Sequence, residues 1–237
     1  MLHIVRYVIV IVFLLPDCGA HAQLHIGFSG DFGNQARIRP NSNSLLRSPI
    51  TVSGSLNLTK QEEINEKWLL QYGIGLGVLG YNILASQIDT LTNDPSFYDR
   101  YPNYNILHTN FQLNFGRRFD VKRKSFMVFL GGGASHMLDV FGSNSKASTR
   151  TWDGNSFVKV FEYEVGISKK TITGFIEGSI QLQPNHWSII GLRFRSHVTP
   201  SLMGQYSFYH TKDPLSGQIE LTSNTLSIFY LIVISKK

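Results

Sequence analysis

The stretch Trp68–Tyr81 reads "WLLQYGIGLGVLGY". Inside it, Gly75-Leu76-Gly77-Val78-Leu79-Gly80 spells G-x-G-x-x-G, the fingerprint of a dinucleotide-binding turn. That fingerprint works only where a helix follows at once, because the helix N-terminus receives the pyrophosphate. The next residues, Tyr81-Asn82-Ile83-Leu84-Ala85-Ser86-Gln87, have no helical period, although Asp99 stands where the motif wants an acid. The glycines keep another rhythm. Gly73, Gly75 and Gly77 alternate with Ile74, Leu76 and Val78, which is the period of a strand with one apolar face. The stretch therefore predicts a β-strand with Trp68 and Tyr81 at its ends, and no nucleotide.

The same period of two runs outward in both directions. Gln23–Phe32 places Leu24, Ile26, Phe28 and Phe32 on one face. Ile50, Val52, Leu56 and Leu58 alternate with serines, threonines and an asparagine. Leu107, Phe111, Leu113, Phe115 and Phe119 follow, then Phe126, Val128 and Leu130. Further on come Phe161–Ile167, Ile172–Leu182, Ile190–Val198 and Leu226–Ile234, with a weaker candidate near Gly204–His210. No segment has the period of an amphipathic helix. The connections are unequal. Gln61–Glu66, Val121–Lys124 and Lys169–Lys170 are short, whereas Gly33–Arg47, Asn82–Asn103 and Val140–Ser156 are long and polar.

The N-terminal residues point to export. Met1–Tyr7 carries Arg6, Val8–Leu15 is an unbroken apolar run, Pro16 ends it, and Ala20-His21-Ala22 offers small residues for a signal peptidase. The apolar run is shorter than the roughly 20 residues that span a bilayer. Residues 1–22 are read as a cleaved signal peptide and 23–237 as one domain. Cys18 is the only cysteine, and Pro16 and Asp17 before it stand where a lipoprotein signal wants small residues. The mature chain then has no thiols, which excludes a disulfide-stapled miniprotein and a cysteine-ligated metal site. The net charge of +6 comes without a long basic run, so nucleic acid is not an expected partner. No cofactor or metal is expected either: the histidines are scattered, without H-E-x-x-H or a close pair.

Many two-faced strands in succession need closure, because open edges are not tolerated in lipid. Short turns alternating with long loops are the layout of an outer-membrane barrel. The expected fold is all-β, an antiparallel up-and-down transmembrane β-barrel of 8 or 10 strands. Ten strands count Phe157–Ile167 and Gly204–His210 as part of the wall, while eight place Phe157–Ile167 in an outer loop. A soluble lipocalin-like barrel would instead turn its apolar phase inward. The membrane form is favoured by polar faces of glycine, Ser, Thr, Asn and mixed charges. It is favoured too by aromatic residues near strand ends: Trp68, Tyr72, Tyr81, Tyr104, Phe115, Phe119 and Trp187. If Pro184–His186 is a three-residue turn and Lys169-Lys170 a two-residue one, Glu162, Glu177 and Arg193 form a charged row inside the barrel.

One constellation carries potential chemistry. His197-Val198-Thr199 resembles the His-x-Ser-Asn motif of outer-membrane lipid A deacylases, with Thr199 and Pro200 in place of Ser and Asn and with Asp213 or Glu220 as the acid. A threonine nucleophile needs both a base and an orienting acid. Taken over most of the mature chain, the sequence resembles the PorT-like outer membrane protein beta-barrel domain family. The residues that carry the likeness are "NILHTNFQLNFGRRF" and "SFMVFLGGGASHML" within Tyr104–Leu138, "NHWSIIGLRFR", and the final "NTLSIFYLIVI". The resemblance implies the barrel and an outer-membrane location, and it implies no catalytic residues.

The expectation is thus a small, non-enzymatic outer-membrane barrel whose lumen is filled by side chains. Its partners would be outer-membrane lipid, the barrel-insertion machinery and an extracellular ligand at the outer loops, above all Asn82–Asn103 with Tyr98, Tyr101 and Tyr104. Gly73, Gly75 and Gly77 should face the lumen and leave room for Arg193 and Arg195. Leu76→Arg should block assembly, and Gly75→Ser should be tolerated.

Overall fold

The computed structural model describes residues 22–34, 36–39, 46–81, 84–87, 97–100, 104–121, 124–138, 145–152, 155–167, 172–209 and 215–236. The signal-peptide reading of residues 1–22 falls almost wholly outside them, as do Tyr101 and Asp213. The strands are β1 (Ala22–Asn34), β2 (Ala36–Arg39), β3 (Leu46–Arg47), β4 (Thr51–Glu63), β5 (Trp68–Tyr81), β6 (Leu84–Gln87), β7 (Phe97–Arg100) and β8 (Tyr104–Val121). They continue with β9 (Lys124–Leu138), β10 (Ser145–Trp152), β11 (Phe157–Ile167), β12 (Ile172–Asn185), β13 (Ser188–His197), β14 (Leu202–Phe208), β15 (Leu215–Leu221) and β16 (Asn224–Lys236).

Eight of these close into an antiparallel barrel in the order β1-β4-β5-β8-β9-β12-β13-β16, with β16 returning to β1. Of the two strand counts, eight is the observed one. Phe157–Ile167 and Leu202–Phe208 are strands, but they lie outside the barrel. At one end the staves are joined by short turns pinned by their own side chains. Asn65 Oδ1 accepts from the backbone N–H groups of Lys67 and Trp68 at 3.0 Å each. Asn185 Oδ1 does the same for Trp187 N–H at 2.9 Å. Such side-chain bonds are why Asn recurs in tight turns.

The other end is built differently. Beyond the barrel, β10-β11-β14-β15-β2 form a five-stranded sheet and β3-β6-β7 a three-stranded one. Their neighbour order repeats that of the staves β9-β12-β13-β16-β1 and β4-β5-β8, each outer strand being the chain continuation of its stave. The described parts of the long connections are therefore prolongations of the wall. In the Asn82–Asn103 connection, β6 and β7 pair as a hairpin, with Tyr98 opposite Ser86, and Tyr104 opens β8 opposite Tyr81.

The phase of the wall settles which solvent it meets. Phe28, Leu56, Leu76, Phe111, Leu113, Leu130, Ile176, Leu192, Phe194 and Ile228 are exposed on its outer face. Asn57, Gln71, Asn110, Gln112, Glu177, Arg193 and Arg195 are buried inside. A closed barrel that is apolar outside and polar inside is a transmembrane barrel of the outer-membrane kind, and the soluble lipocalin-like alternative is overturned. Trp68, Phe115, Phe119 and Phe126 ring the short-turn end of the outer wall, with Trp68 and Phe115 stacked at 4.9 Å. Tyr81, expected in such a girdle, sits instead on the lumen phase and is buried.

Candidate functional site

The lumen is filled along its length, and the filling changes character from end to end. Near the short turns, Leu69, Met127, Phe129, Ile189, Phe229 and Leu231 form a buried apolar cluster inside the barrel. These residues stand on the phase that is polar elsewhere, so alternation alone conceals them. Two glycines make the cluster fit. A Cβ on Gly116 would lie 2.3 Å from the Phe129 ring, and one on Gly191 would lie 2.4 Å from the Phe229 ring. Each glycine is the direct cross-strand partner of its ring, so the missing side chain lets the ring lie over the neighbouring stave.

Above this plug is a charged network. Glu177 Oε2 accepts from Arg195 Nε at 2.9 Å and Nη2 at 2.7 Å, and its Oε1 accepts from Asn114 Nδ2 at 2.5 Å. Arg195 also donates to Gln112 Oε1 at 3.1 Å, and its guanidinium lies 4.1 Å from the centre of the Phe175 ring. Arg193 donates to Ser29 Oγ at 3.1 Å and is 3.7 Å from Asp31 Oδ1. Ser29 in turn donates to Asp31 at 3.0 Å and bonds Ser55 at 2.7 Å. Two carboxylates and two guanidiniums thus neutralise one another, as charges withdrawn from water require.

The register differs from the expected charged row. Glu177 faces Arg195, two residues from Arg193, because the β12–β13 turn is His186-Trp187 with an irregularity between Leu182 and Asn185. Glu162 is not in the barrel at all. It lies on β11 opposite Ser148 and Ser207. There its carboxylate accepts from Tyr209 Oη at 2.7 Å and Lys159 Nζ at 3.0 Å, and pairs with Lys146 at 3.1 Å. These partners, the Tyr209 hydroxyl foremost, hold its pKa down from 4.5 to about 2. Glu162 and Glu177 therefore do not share a row.

The glycines of the opening stretch do face the lumen, but their neighbours differ from those expected. A Cβ on Gly75 would meet Asn110 Nδ2 at 2.6 Å and Asn57 Oδ1 at 2.7 Å. One on Gly77 would meet His108 and Ser55. The space therefore serves two amides and a histidine, not Arg193 and Arg195. Asn57, Thr59, Gln71 and Gln112 border a central cavity with room for about one water. Among the described residues no group of His, Asp and Glu is arranged for a metal.

The His197 constellation is also rearranged. Nδ1 lies 2.9 Å from the Ser223 carbonyl oxygen and must donate to it, and Nε2 lies 3.0 Å from Ser135 Oγ. The ring is then the Nδ1–H tautomer, and the Ser135 hydroxyl donates to Nε2. Both nitrogens are engaged, neither with Thr199, and no carboxylate orients the ring. Ser135 is fully buried. Sequence reasoning missed Ser135 because its pairing with His197 spans the barrel interior from β9 to β13.

The five-stranded outer sheet inverts the wall's polarity. Ile219 shares the inward phase of Ser223, Thr225 and Ser227. Through the pairs Gly204↔Ile219, Tyr163↔Tyr206 and Phe161↔Phe208, the buried residues Val165, Tyr163, Phe161, Tyr206 and Phe208 lie on that face. Lys146, Lys159, Glu162 and Tyr209 occupy the other face. A wall that leaves lipid for water must bury its apolar phase inward.

No family model and no curated protein matches the chain. Its fold is similar to solved outer-membrane barrels. The outer membrane protein OprG of Pseudomonas aeruginosa is 7% identical, with 91% of this chain and 94% of that one covered and a TM-score of 0.48. The attachment invasion locus protein Ail of Yersinia pestis is 10% identical, with 90% and 99% covered and a TM-score of 0.33. The outer membrane protease OmpT of Escherichia coli is 6% identical, with 92% and 98% covered and a TM-score of 0.34. At these identities the likeness is one of barrel architecture.

Proposed function

We propose that this outer-membrane barrel is non-conducting and non-catalytic, and that it acts at the cell surface through the two sheets that prolong its wall. The observation that carries this reading is the blocked lumen. The apolar cluster of Leu69, Met127, Phe129, Ile189, Phe229 and Leu231 closes the short-turn end, and the Glu177–Arg195 pair fills the space above it. A chain that passes nothing through its centre has its outer surface left for contact. That surface is ordered as strands, and its exposed side carries the Lys146, Lys159, Glu162 and Tyr209 cluster. Rigid display on a sheet suits recognition of an extracellular ligand. The pattern likeness to the PorT-like family fits this reading, as does delivery by the barrel-insertion machinery.

The test is electrical. Purified full-length protein inserted into planar bilayers should show no stepwise conductance, and Phe129→Ala with Phe229→Ala should produce it only when Glu177→Ala and Arg195→Ala remove the second barrier as well. A stable open channel in the unsubstituted protein would overturn the proposal.

A further inference from the structure

On the outer wall of the barrel, Arg117 meets two aromatic rings and, among the described residues, has no ion-pair partner. Arg117 lies on the lipid-facing phase of β8, between Phe115 and Phe119 and directly opposite Trp68 on β5 and Val128 on β9. Its guanidinium is 5.5 Å from the centre of the Trp68 ring and 5.3 Å from that of Phe119. No carboxylate among the described residues pairs with it. Two other cations near this end are matched: Lys60 pairs with Glu62 at 3.0 Å, and Arg118 with Glu63 at 2.6 Å. The adjoining β8–β9 link reads Lys122-Arg123-Lys124, so the neighbourhood is basic.

An arginine on the lipid face is costly at the bilayer midplane and close to neutral at the interface. Arg117 stands within the girdle at the short-turn end, where polar headgroups begin. Cation–π attraction to the two rings steadies the guanidinium at the exposed outer surface of the wall, where its N–H fork is accessible to the membrane. That fork matches two oxygens of a phosphate. The remaining wall around it, Phe115, Phe126 and Val128, suits acyl chains.

We propose that Arg117, framed by Trp68 and Phe119, is a binding site for the phosphate of a membrane phospholipid in the leaflet on the short-turn side. This rests on the outer-membrane reading above. Native mass spectrometry of the full chain, refolded in detergent and incubated with phosphatidylglycerol, tests it. The unsubstituted protein should retain one phospholipid. Arg117→Gln should lower the retained fraction about tenfold, as loss of a charge-assisted bond predicts; Arg117→Lys should lower it less, and Lys67→Gln should leave it unchanged. Diacylglycerol, with the same tails and no phosphate, should not be retained, and millimolar inorganic phosphate should not displace the lipid. Equal retention by Arg117→Gln, or equal binding of diacylglycerol, would overturn the site. Displacement by inorganic phosphate would overturn the lipid as its occupant. A chain that does not refold into micelles at all would instead overturn the membrane reading itself.

Discussion

Replacing Glu177 tests the charged network and the strand register together. The carboxylate accepts three hydrogen bonds, two from Arg195 at 2.7 and 2.9 Å and one from Asn114. Counted singly, bonds to a charged group at about 1.5–3 kcal/mol each would exceed 4 kcal/mol in sum. That sum omits what the ions lost on leaving water. The applicable figure is the cost of removing one partner of a buried pair, about 3–5 kcal/mol. Glu177→Gln keeps the shape and one acceptor oxygen, so about 3 kcal/mol is expected. Arg195 would keep Gln112 and the Phe175 ring as its neighbours. Glu177→Leu with Arg195→Met should recover most of the loss, since an apolar pair carries no desolvation cost. The assay is urea unfolding from lipid vesicles, arranged as double-mutant cycles. Coupling of Glu177 to Arg195 should exceed its coupling to Arg193, whose nearest carboxylate is Asp31 at 3.7 Å. A Glu177→Gln cost under about 1 kcal/mol would refute the buried-pair reasoning, and stronger coupling to Arg193 would refute the register.

Leu76, 46% exposed on the lipid face, should not accept a charge: Leu76→Arg is expected to cost about 2–4 kcal/mol near the midplane and to reduce the heat-resistant folded band on gels. Gly75→Ser, tolerated on the sequence reading, should fold but lose about 1–3 kcal/mol, because its Cβ needs Asn57 and Asn110 to move; unchanged unfolding midpoints would show that these amides swing freely. The outer sheet should weaken in acid. The Glu162 pKa is depressed, so its contribution is complete above the unfolded carboxylate value of 4.5 and is lost as pH falls through about 2. Tyr209→Phe removes the largest cause of that depression and should move the carboxyl titration, followed by NMR, upward toward 4.5.

The membrane wall was legible because one physical rule governs every residue in it. Lipid favours an apolar side chain at most outward positions, so Ile74, Leu76 and Val78 declare their face without help from the rest of the chain. Closure followed from the number of such strands. The count of eight did not follow, because Phe157–Ile167 alternates as cleanly as any stave. Its strand is genuine, but it meets water, and its apolar phase turns inward. Alternation records that a strand has two environments and not which environment lies on which side.

The lumen was harder to read for a different reason. Its contents are set by cross-barrel pairs whose members are distant in sequence, such as Ser135 with His197 or Gln71 with Gln181 at 3.2 Å. The turn at His186-Trp187, together with a one-residue irregularity between Leu182 and Asn185, was enough to move Glu177 from Arg193 to Arg195. The plug left a fainter trace. Leu69, Met127, Phe129, Ile189, Phe229 and Leu231 interrupt the polar phase near the short turns, on the four staves β5, β9, β13 and β16. Seen one strand at a time, "SFMVFLGGG" is merely a continuous apolar run. Aligned by register, the interruptions converge at one height, and Gly116 and Gly191 stand where the Phe129 and Phe229 rings need space. An apolar break in the polar phase that recurs near the same end of several staves, with a glycine facing each ring, is therefore a sequence signal of a closed lumen once the barrel's register is known.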